Sequence, residues 1–464
     1  MEGIFVTKSL KTILTSLLIY KMVKIHTVGG FSEVGNNMVV VEVGEDAFIF
    51  DEGFFLPAIV SMQERDHVMT EKKLQNIGAI PDISVVEKIK DKVRAQFISH
   101  AHLDHVGAIP FISDRYNAPI YGTPFSVQVL NSLLRDNDIV LKNKVLTVRP
   151  NTTFYVKGKA KKYKVDFIHM THSTVQCSMI ALHTPEGVVI FSGDFKLDDT
   201  PVIGPKPNYK KLKELGDKGV IALIVNSLYS GTKSKTPSES FARDLLKKTL
   251  DGIENKREGM IVTTFASHIA RLKSIVEFGQ KMGREVVFLG RSLDKYSMAA
   301  KNAGLAPFLS TIKISKYRRQ VEKSLHNVER KRKDHMIVCT GHQGEPGSIL
   351  DRLSRHQLPF KITKDDNIVF SSSVIPTPVN KEQFSKMEAR LKKSKPRIFR
   401  DVHVSGHGRE EDLKQTIEMI RPKHIIPWHG DWEKTKPMVE LVKEFGYKLD
   451  KTCHLMNNGE VLNV

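Results

Sequence analysis

Hydrophobic positions follow different patterns in the two halves of the chain. In the first half, short apolar runs bounded by glycine, proline and polar turns predict a series of strands. These runs are residues 38–43, 48–50, 95–98, 119–121, 165–168, 178–182 and 187–191. The last two flank Thr184-Pro185-Glu186, which predicts a hairpin. A charged segment over 64–92 interrupts the series, and we expect a solvated helix pair there with Ser84 and Glu87 as a capping box.

Beyond residue 205 the apolar runs alternate with amphipathic helices. Strands are predicted at 222–225, 259–264, 285–289, 336–339 and 367–370, and helices at 238–250 and 267–282. This alternation is typical of a parallel, doubly wound α/β domain. Strands followed by histidines return at 401–407 and 425–431, as in the first half. The α/β block is therefore interpreted as an insertion into the first unit.

The net charge narrows the choice of partner. The chain has 464 residues, a formal net charge of +19 and a pI near 9.5, which indicate an acidic partner, with nucleic acid as the leading candidate. Basic runs at 316–319, 330–333 and 392–397 lie in or beside the insertion, where they predict a wall of an RNA channel. Solvated faces that only keep the protein soluble are the alternative explanation for such runs.

The cysteine content and the hydropathy of the chain indicate the cellular compartment to expect. Cys177, Cys339 and Cys453 are few and far apart, so we expect neither a disulfide framework nor a cysteine zinc site, and a reducing cytoplasm is favoured. Residues 1–21 imitate a short signal sequence but lack a cleavage site, and Met22 is an alternative start for the chain. No other stretch approaches the roughly 18 apolar residues of a membrane span, so we expect a soluble protein without a membrane partner.

The segment 99–107 carries the candidate chemistry. It packs His100, His102, Asp104 and His105 into six positions directly after a predicted strand. Imidazole suits zinc, manganese or iron, and a carboxylate adds a hard ligand. His100 and His102 can converge on one ion while Asp104 and His105 turn toward another. The spacing therefore predicts a dinuclear metal site.

This HxHxDH cluster resembles the signature of the metallo-β-lactamase superfamily, and further motifs of that superfamily follow in order. Asp51, at the end of the run 48–50, matches the carboxylate that orients the histidine loop. His172 matches the third-motif ligand, and Asp194 matches the acid that bridges both metals. His169 lies close to His172 and is expected to be a structural histidine.

The insertion resembles that of the β-CASP nucleases, the nucleic-acid branch of this superfamily. The resemblance implies that His407 contacts the leaving oxygen or the scissile phosphate and that His429 is the last ligand of the second metal. The branch carries an acid at the end of the insertion's first strand, where this chain has Asn226. Either a neighbour substitutes, the activity is reduced, or the residue was altered.

The implied fold class is α/β, an αββα metallo-β-lactamase sandwich with an inserted doubly wound β-CASP domain. The expected division is an N-terminal extension over 1–21, the first part of the sandwich over 22–205, the insertion over 206–380 and the completing part over 381–464. The implied metal ligands are His100, His102 and His172 for the first ion, Asp104, His105 and His429 for the second, and Asp194 for both. The implied catalytic residues are Asp104, His105, Asp194 and His407.

Three further segments, 264–268, 340–346 and 370–376, resemble ribonuclease J, and the chain looks like the short archaeal form of that family. In the family such loops bind the RNA backbone and a 5′-terminal phosphate, which a strand-to-helix junction suits because free amides attract an anion. The residues implied are Ser267, His268, Gly341, Gln343, Gly344, Glu345, His403, Ser405, Gly406 and His407.

The resemblance implies a two-zinc, processive 5′-3′ exoribonuclease of RNA decay or maturation that prefers 5′-monophosphate ends of single-stranded RNA. Mn²⁺ or Mg²⁺ are alternative ions, and a homodimer is the implied assembly. Three alternatives stay open at this stage. An endoribonuclease of the cleavage-factor type would use the same residues, and Asn226 would suit a catalytically weakened RNA-binding relative. A small-molecule hydrolase of the glyoxalase type would share the HxHxDH cluster but would need neither the insertion nor the positive charge.

Overall fold

The computed structural model describes residues 23–63, 69–254, 258–375 and 377–464. The expected N-terminal extension, Met22, residues 64–68 of the expected helix pair and Pro376 lie outside the described residues.

The strands of the described residues form three sheets. They are β1 (Val23–Gly29), β2 (Met38–Val43), β3 (Asp46–Phe50), β4 (Val93–Phe97), β5 (Ile120–Gly122), β6 (Val145–Thr147), β7 (Thr152–Lys157), β8 (Lys162–His169), β9 (Ser178–Thr184), β10 (Gly187–Phe191), β11 (Val220–Asn226), β12 (Met260–Thr263), β13 (Glu285–Leu289), β14 (Lys313–Ser315), β15 (His335–Cys339), β16 (Asn367–Phe370), β17 (Arg397–Phe399), β18 (His424–Trp428) and β19 (Val461–Asn463).

The α-helices cover the outer faces of these sheets. They are α1 (Leu56–Gln63), α2 (Glu71–Asn76), α3 (Leu103–Val106), α4 (Ile109–Ile112), α5 (Pro124–Asp136), α6 (Tyr209–Lys218), α7 (Glu239–Asp251), α8 (Ile269–Lys281), α9 (Arg291–Asn302), α10 (Arg318–Arg330), α11 (Ile349–Ser354), α12 (Pro378–Lys393), α13 (Glu410–Ile420), α14 (Trp432–Thr435) and α15 (Pro437–Lys443). Short 3-10 helices occupy Ile83–Lys92, Ser113–Arg115, Pro307–Thr311 and Arg332–Asp334.

Two sheets pack face to face. Their strand orders are β19-β1-β2-β3-β4-β5-β6 and β18-β11-β10-β9-β8-β7. Inward-facing aromatic residues join them, with ring centroids 5.5 Å apart for Phe50 and Phe191 and 6.2 Å apart for Phe97 and Phe167. Helices cover both outer faces, as Ile59 of α1 does on the first sheet and Leu413 of α13 on the second. The expected αββα sandwich is confirmed, with β9 and β10 forming the predicted hairpin.

The third sheet is entirely parallel, in the order β14-β13-β15-β12-β16-β17. Neighbouring residues of each central strand point to opposite faces, and both faces are buried. Val262 belongs to the core beneath α8 and α9, whereas Ile261 belongs to the core beneath α10, α11 and α12. A parallel sheet with helices on both faces is the predicted doubly wound domain.

One hydrophobic core extends from the sandwich into the inserted unit. Phe125 and Val129 of α5 are buried in the same cluster as Leu293 and Tyr296 of α9. The rings of Phe125 and Tyr296 lie 6.4 Å apart. The two units therefore share apolar contacts in addition to their covalent connections.

The expected boundaries at residues 206 and 380 assign two strands to the wrong unit. β11 pairs in parallel with β10 and with β18 and belongs to the sandwich, not to the insertion. β17 pairs with β16 and belongs to the inserted sheet. The sequence could not place β11, because its partner β18 follows about two hundred residues later and a buried parallel strand has the same apolar pattern in either sheet.

The segment 64–92 differs from the expected helix pair. Its described part contains the short helix α2 and the 3-10 helix Ile83–Lys92. Asp82, not Ser84, caps the latter, because its carboxylate accepts a hydrogen bond from the Ser84 amide at 3.0 Å. The three cysteines are buried and unpaired. Among the described helices, none combines the length and apolarity that a membrane crossing requires.

The connections to the inserted unit are fastened by one buried carboxylate. Asp412, in the first turn of α13, accepts hydrogen bonds from the backbone amides of Leu197, Thr236 and Arg409 at 3.0, 2.8 and 3.1 Å. Thr236 lies on the outgoing connection, and Arg409 follows the returning one. The Thr236 hydroxyl also donates a hydrogen bond to the backbone carbonyl of His407 at 2.8 Å. Asp412 thus holds both connections against the sandwich.

Asp412→Asn should lower the stability of the protein. An amide side chain carries no charge and cannot present acceptors to all three backbone N–H groups, so we expect a loss of about 1–3 kcal/mol. The unfolding midpoint in urea measures this loss. Glu411→Gln is the matched control, because it removes a charge from the same helix turn at an exposed side chain. Equal midpoints for the two variants would contradict the role given to Asp412.

Candidate metal centre

The predicted site residues lie where parallel strands end. β10, β11 and β18 run in the same direction side by side, so their carboxyl ends meet at one edge of the second sheet. Asp194 follows β10, Asn226 ends β11 and His429 follows β18. Across the sandwich, the carboxyl ends of β3 and β4 lead to Asp51 and to the histidine loop. The sheet topology therefore gathers residues that are far apart in sequence.

A first group of ligand atoms consists of His100, His102, His172 and Asp194. The Nδ1 atom of His102 lies 3.1 Å from Nε2 of His100 and 3.1 Å from Nε2 of His172. Asp194 Oδ2 lies 3.6 and 3.7 Å from the same two Nε2 atoms. All four ligand atoms lie within 4.8 Å of one another.

A second group shares Asp194 and adds Asp104, His105 and His429. His105 Nε2 lies 3.2 Å from Asp194 Oδ2 and 3.6 Å from Asp104 Oδ2. His429 lies 3.8 Å from Asp194 through Nδ1 and 3.9 Å from Asp104 through Nε2. The geometry thus brings together all seven residues predicted as metal ligands, in the two groups the sequence suggested.

Neighbouring groups orient several of these histidines. Asp51, with φ of 58°, accepts a hydrogen bond from His105 Nδ1 at 2.7 Å and is itself held by the amide and hydroxyl of Ser99. His172 donates from Nδ1 to the carbonyl of Gly406 at 2.7 Å. Gly406 must be glycine, because a Cβ there would lie 2.8 Å from His172 Nδ1. These contacts turn each Nε2 toward the cluster, an arrangement typical of metal-binding histidines.

Asn37 is a site residue that the sequence analysis missed. Its Nδ2 atom lies 3.1 Å from His105 Nε2, and its Oδ1 atom lies 3.0 Å from His429 Nδ1. It follows the glycine-rich loop 29–35, which sequence patterns identify only as a turn. A single asparagine after such a loop carries no signal of its own.

Burial keeps most of these imidazoles neutral. It lowers the pKa of His100 and His172 well below the ordinary value, and neighbouring histidines add to the effect. Burial also lowers the pKa of His102 and of His429 to about 3. A neutral imidazole has a free lone pair, which a metal ligand requires.

At His105, burial is outweighed by Asp194, Asp104 and Asp51, which raise its pKa well above the ordinary value. The donor set, its convergence and the neutral state of the other four imidazoles therefore fit divalent metal ions.

Asn226 and His407 lie beside the shared carboxylate. Asn226 donates from Nδ2 to Asp194 Oδ1 at 2.5 Å, and the same nitrogen lies 3.1 Å from His407 Nδ1. An amide nitrogen can only donate, so His407 Nδ1 accepts and its proton is on Nε2. The ring of His407 lies 4.9 Å from that of His172 and stacks at 5.5 Å on that of His429. Burial lowers the pKa of His407.

The residues predicted to bind RNA fall into two sets. Ser267, Ser405, Gly406 and His407 reach the centre: the Ser267 hydroxyl lies 3.2 Å from His102 Nε2, and Ser405 Oγ accepts from the His407 amide at 3.0 Å. The others hold loops together. His268 caps α8, Gln343 bonds to the backbone of Ser373 and Ile375, and Glu345 accepts from the Gln343 amide.

Two glycines and a histidine complete this second set. Gly341 has φ of 118°, and Gly344, with φ of 77°, approaches α12 so closely that a Cβ would lie 2.4 Å from the backbone of Gln383. His403 lies 3.4 Å from the guanidinium of Arg271. Burial is the main reason that the pKa of His403 is lowered to about 2, and Arg271 contributes.

A buried ion pair beneath these loops was not predicted. Arg271 is fully buried and binds Glu239 with two hydrogen bonds of 2.7 and 2.9 Å. It also donates to the carbonyls of Ser371 and Val402 at 2.8 and 3.1 Å. In the sequence, Glu239 and Arg271 resemble the ordinary surface charges of amphipathic helices, and no local pattern indicates that they meet.

Family models match most of the chain. The metallo-beta-lactamase superfamily matches residues 32–225, the ribonuclease J beta-CASP domain matches 257–391, and the Zn-dependent metallo-hydrolase RNA specificity domain matches 395–455. A crystal structure titled as a protein of unknown function from Enterococcus faecalis V583 has the same fold, with a TM-score of 0.62 at 16% identity over 96% of this chain and 100% of that one. Fold, centre and models together define a metallo-β-lactamase-type protein with a β-CASP insertion.

Full-length relatives identify the family within that class. Ribonuclease J of Methanocaldococcus jannaschii is 37% identical over 95% of this chain and 98% of its own length. Ribonuclease J of Pyrococcus abyssi is 37% identical over 96% of this chain and 97% of its own. Ribonuclease J of Helicobacter pylori strain 26695 is 29% identical over 95% of this chain and 61% of its own length. The chain belongs to the ribonuclease J family.

Glu239→Gln should destabilise the protein in a pH-dependent way. Burial opposes ionisation of Glu239, but His268 and Arg271 outweigh it and hold its pKa well below the ordinary value. A depressed pKa contributes stability that is full above the unfolded-state pKa of about 4.3 and declines as the pH falls below it. We therefore expect a deficit of about 3 kcal/mol at pH 7 that shrinks below pH 4.

Unfolding midpoints of the wild type and the variant between pH 3 and 8 measure this difference. Glu277→Gln is the control, because Glu277 of α8 pairs with Arg243 of α7 and so links the same two helices as Glu239 and Arg271, but at partly exposed side chains. A deficit of Glu239→Gln that stays constant across the range would contradict the assigned ionisation.

Proposed function

We propose that the protein is a metal-dependent ribonuclease that removes nucleotides from the 5′ end of single-stranded RNA and prefers a 5′-monophosphate. Membership of the ribonuclease J family supports RNA hydrolysis, and the histidine and aspartate cluster supports metal dependence. The observation that carries the proposal is the pair of ligand groups that share Asp194 where the inserted unit contacts the sandwich.

The ligand residues form two groups that would bind two divalent ions. We propose that these ions are zinc, with Mn²⁺ or Mg²⁺ as alternatives. His100, His102 and His172 would hold the first, Asp104, His105 and His429 the second, and Asp194 both. When bound, such a pair activates water as the nucleophile and neutralises charge on the phosphate. Asp51 orients His105 throughout, because its carboxylate fixes the proton on Nδ1.

His407 would act on the substrate from the side of His172 and His429. Because Asn226 donates to its Nδ1, the ring presents an Nε2–H group. That group can donate a hydrogen bond to the scissile phosphate or to the departing 3′ oxygen, and hydrogen bonds aimed at developing charge lower the barrier. Asn226 in place of an acid leaves this donor neutral, so we propose an active enzyme in which His407 serves as a hydrogen-bond donor.

The position of Ser267 supports cleavage close to the 5′ end of the RNA. Its hydroxyl belongs to the junction between β12 and α8, where the positive end of the helix dipole attracts an anion, and it lies 3.2 Å from His102. A 5′ phosphate bound there would leave room for only a short stretch of RNA before the metal ligands. Release of mononucleotides from the 5′ end follows. A homodimer and a cytoplasmic location belong to the same proposal, by resemblance to the family.

One RNA with three different 5′ ends tests the polarity. Substrates labelled at the 5′ nucleotide and ending in monophosphate, triphosphate or hydroxyl should all depend on the metal, and the monophosphate should release labelled mononucleotide fastest. Denaturing gels with and without chelator give the result. Internal fragments independent of the 5′ end would indicate an endonuclease, and binding without cleavage would indicate a disabled site.

His102→Ala should abolish cleavage and spare RNA binding. The substitution removes a ligand atom that lies within 3.1 Å of two others, whereas the basic surface stays intact. Turnover should fall by at least about a thousandfold if catalysis needs the first ion, while the variant should still bind RNA through its basic surface. His169→Ala is the control, since His169 bonds to the Pro205 carbonyl away from the centre. Full turnover of His102→Ala would refute the ligand assignment.

Asn226→Asp should change the pH dependence of the reaction. A carboxylate beside His407 Nδ1 favours the charged imidazolium and raises the pKa of His407. If the charged ring helps the leaving oxygen depart, the kcat profile of the variant should acquire an alkaline limb at the raised pKa of His407, where the neutral donor of the wild type has none. Single-turnover rates from pH 5 to 10 measure the shift. Superimposable profiles for wild type and variant would mean that the protonation of His407 does not limit the rate.

A further inference from the structure

Ser267 connects the inserted unit to the metal centre of the sandwich. It lies between β12 and α8 of the insertion, and it is 7% exposed. Its hydroxyl lies 3.2 Å from Nε2 of His102, a residue of the first ligand group. The outward nitrogens of the other two histidines in that group contact Ser99 and Gly406, which belong to the sandwich. His102 is therefore oriented by the inserted unit.

The direction of this hydrogen bond follows from the ring's position. Nδ1 of His102 points into the ligand group, 3.1 Å from His100 and 3.1 Å from His172. A nitrogen that binds a metal carries no proton, so the proton of a neutral ring must be on Nε2. Nε2–H then donates, and the Ser267 oxygen accepts. The serine fixes the tautomer that metal binding requires.

The Ser267 hydroxyl keeps its own proton for another partner. Within the described part of the chain, His102 is the one group found within hydrogen-bond distance of this hydroxyl. Because the oxygen accepts from His102, its O–H can donate to an anion at the junction between β12 and α8. Two hydrogen bonds in series polarise each other, so each strengthens when the other forms.

We propose that Ser267 is a positioning residue that couples the first metal group to the 5′-phosphate pocket, so that each ligand raises the affinity for the other. A metal ion on His102 makes Nε2–H a stronger donor, which makes the serine O–H a stronger donor to the phosphate. By linkage, a bound phosphate strengthens metal binding by the same factor. The phosphate half of this inference rests on the proposed function, whereas the metal half requires only the ligand group.

Metal titration of the chelator-treated protein tests the metal half of the inference. Zinc binding, measured by competition with a chromogenic chelator, should resolve two sites in the wild type. Ser267→Ala should weaken one of them by about 10–100-fold and leave the other unchanged. Ser267→Thr, which keeps the hydroxyl, should restore the affinity. Ser297→Ala is the matched control, because Ser297 is a buried serine of the insertion whose hydroxyl has no partner among the described residues.

Two sites of unchanged affinity in Ser267→Ala would overturn the inference, provided that the melting temperatures of the metal-free variant and wild type agree. A wild type that binds no metal would instead overturn the proposed function. Cleavage is not required for either reading, so the two failures are distinguishable.

Uridine 5′-monophosphate tests the coupling, because it carries a 5′ phosphate but no phosphodiester bond. Saturation with this nucleotide should tighten one zinc site of the wild type several-fold, and uridine should not. The effect should disappear in Ser267→Ala and persist in Ser297→Ala. Equal tightening in wild type and Ser267→Ala would mean that the phosphate contacts the metal directly, and it would overturn the coupling.

Discussion

A single buried carboxylate organises the centre of this protein. Asp194 is 1% exposed, and its two oxygens face groups from five separate segments of the chain, which carry His100 and His105, His172, Asn226, His407 and His429. Burial opposes its ionisation, but His429, His105 and His407 outweigh burial and hold its pKa well below the ordinary value. A buried negative charge is costly unless positive or donating groups surround it. The convergence of β10, β11 and β18 at one sheet edge supplies those groups, and the sandwich and the insertion are arranged around them.

The same requirement explains why Asn226 fits. Its amide donates to Asp194 at 2.5 Å, where an aspartate would place a second carboxylate against the first. Like charges at that distance repel unless a proton or a cation lies between them. Asparagine therefore satisfies the shared carboxylate directly, and its effect on His407 is to fix a tautomer. The departure from the family pattern is thus compatible with an ordered centre.

Local patterns predicted the parts of the fold whose signal is local. The hairpin of β9 and β10, the alternating strands and helices of the insertion, and the HxHxDH loop depend on residues close together in sequence. The sheet membership of β11 and β17 could not be predicted, because it depends on pairing with distant strands of similar apolar composition.

Lone residues were missed for the same reason. Asn37, Glu239 and Arg271 acquire their roles only when loops from different elements meet. The assignment of His268, Gln343 and Glu345 to a binding pocket stays a prediction. In the structure their side chains bond to neighbouring loops and helices, contacts between distant segments that the sequence did not indicate.

The hydrophobic core that α5 and α9 share limits how the sandwich and the inserted unit can vary in sequence. Phe125 and Val129 of the sandwich are buried against Leu293 and Tyr296 of the insertion. Cutting the insertion out would uncover this apolar surface, and a transplanted insertion would need complementary side chains at the same positions. The β-CASP unit is therefore not an exchangeable module. Its interface with the sandwich must vary in step with α5, as the two halves of one hydrophobic core do.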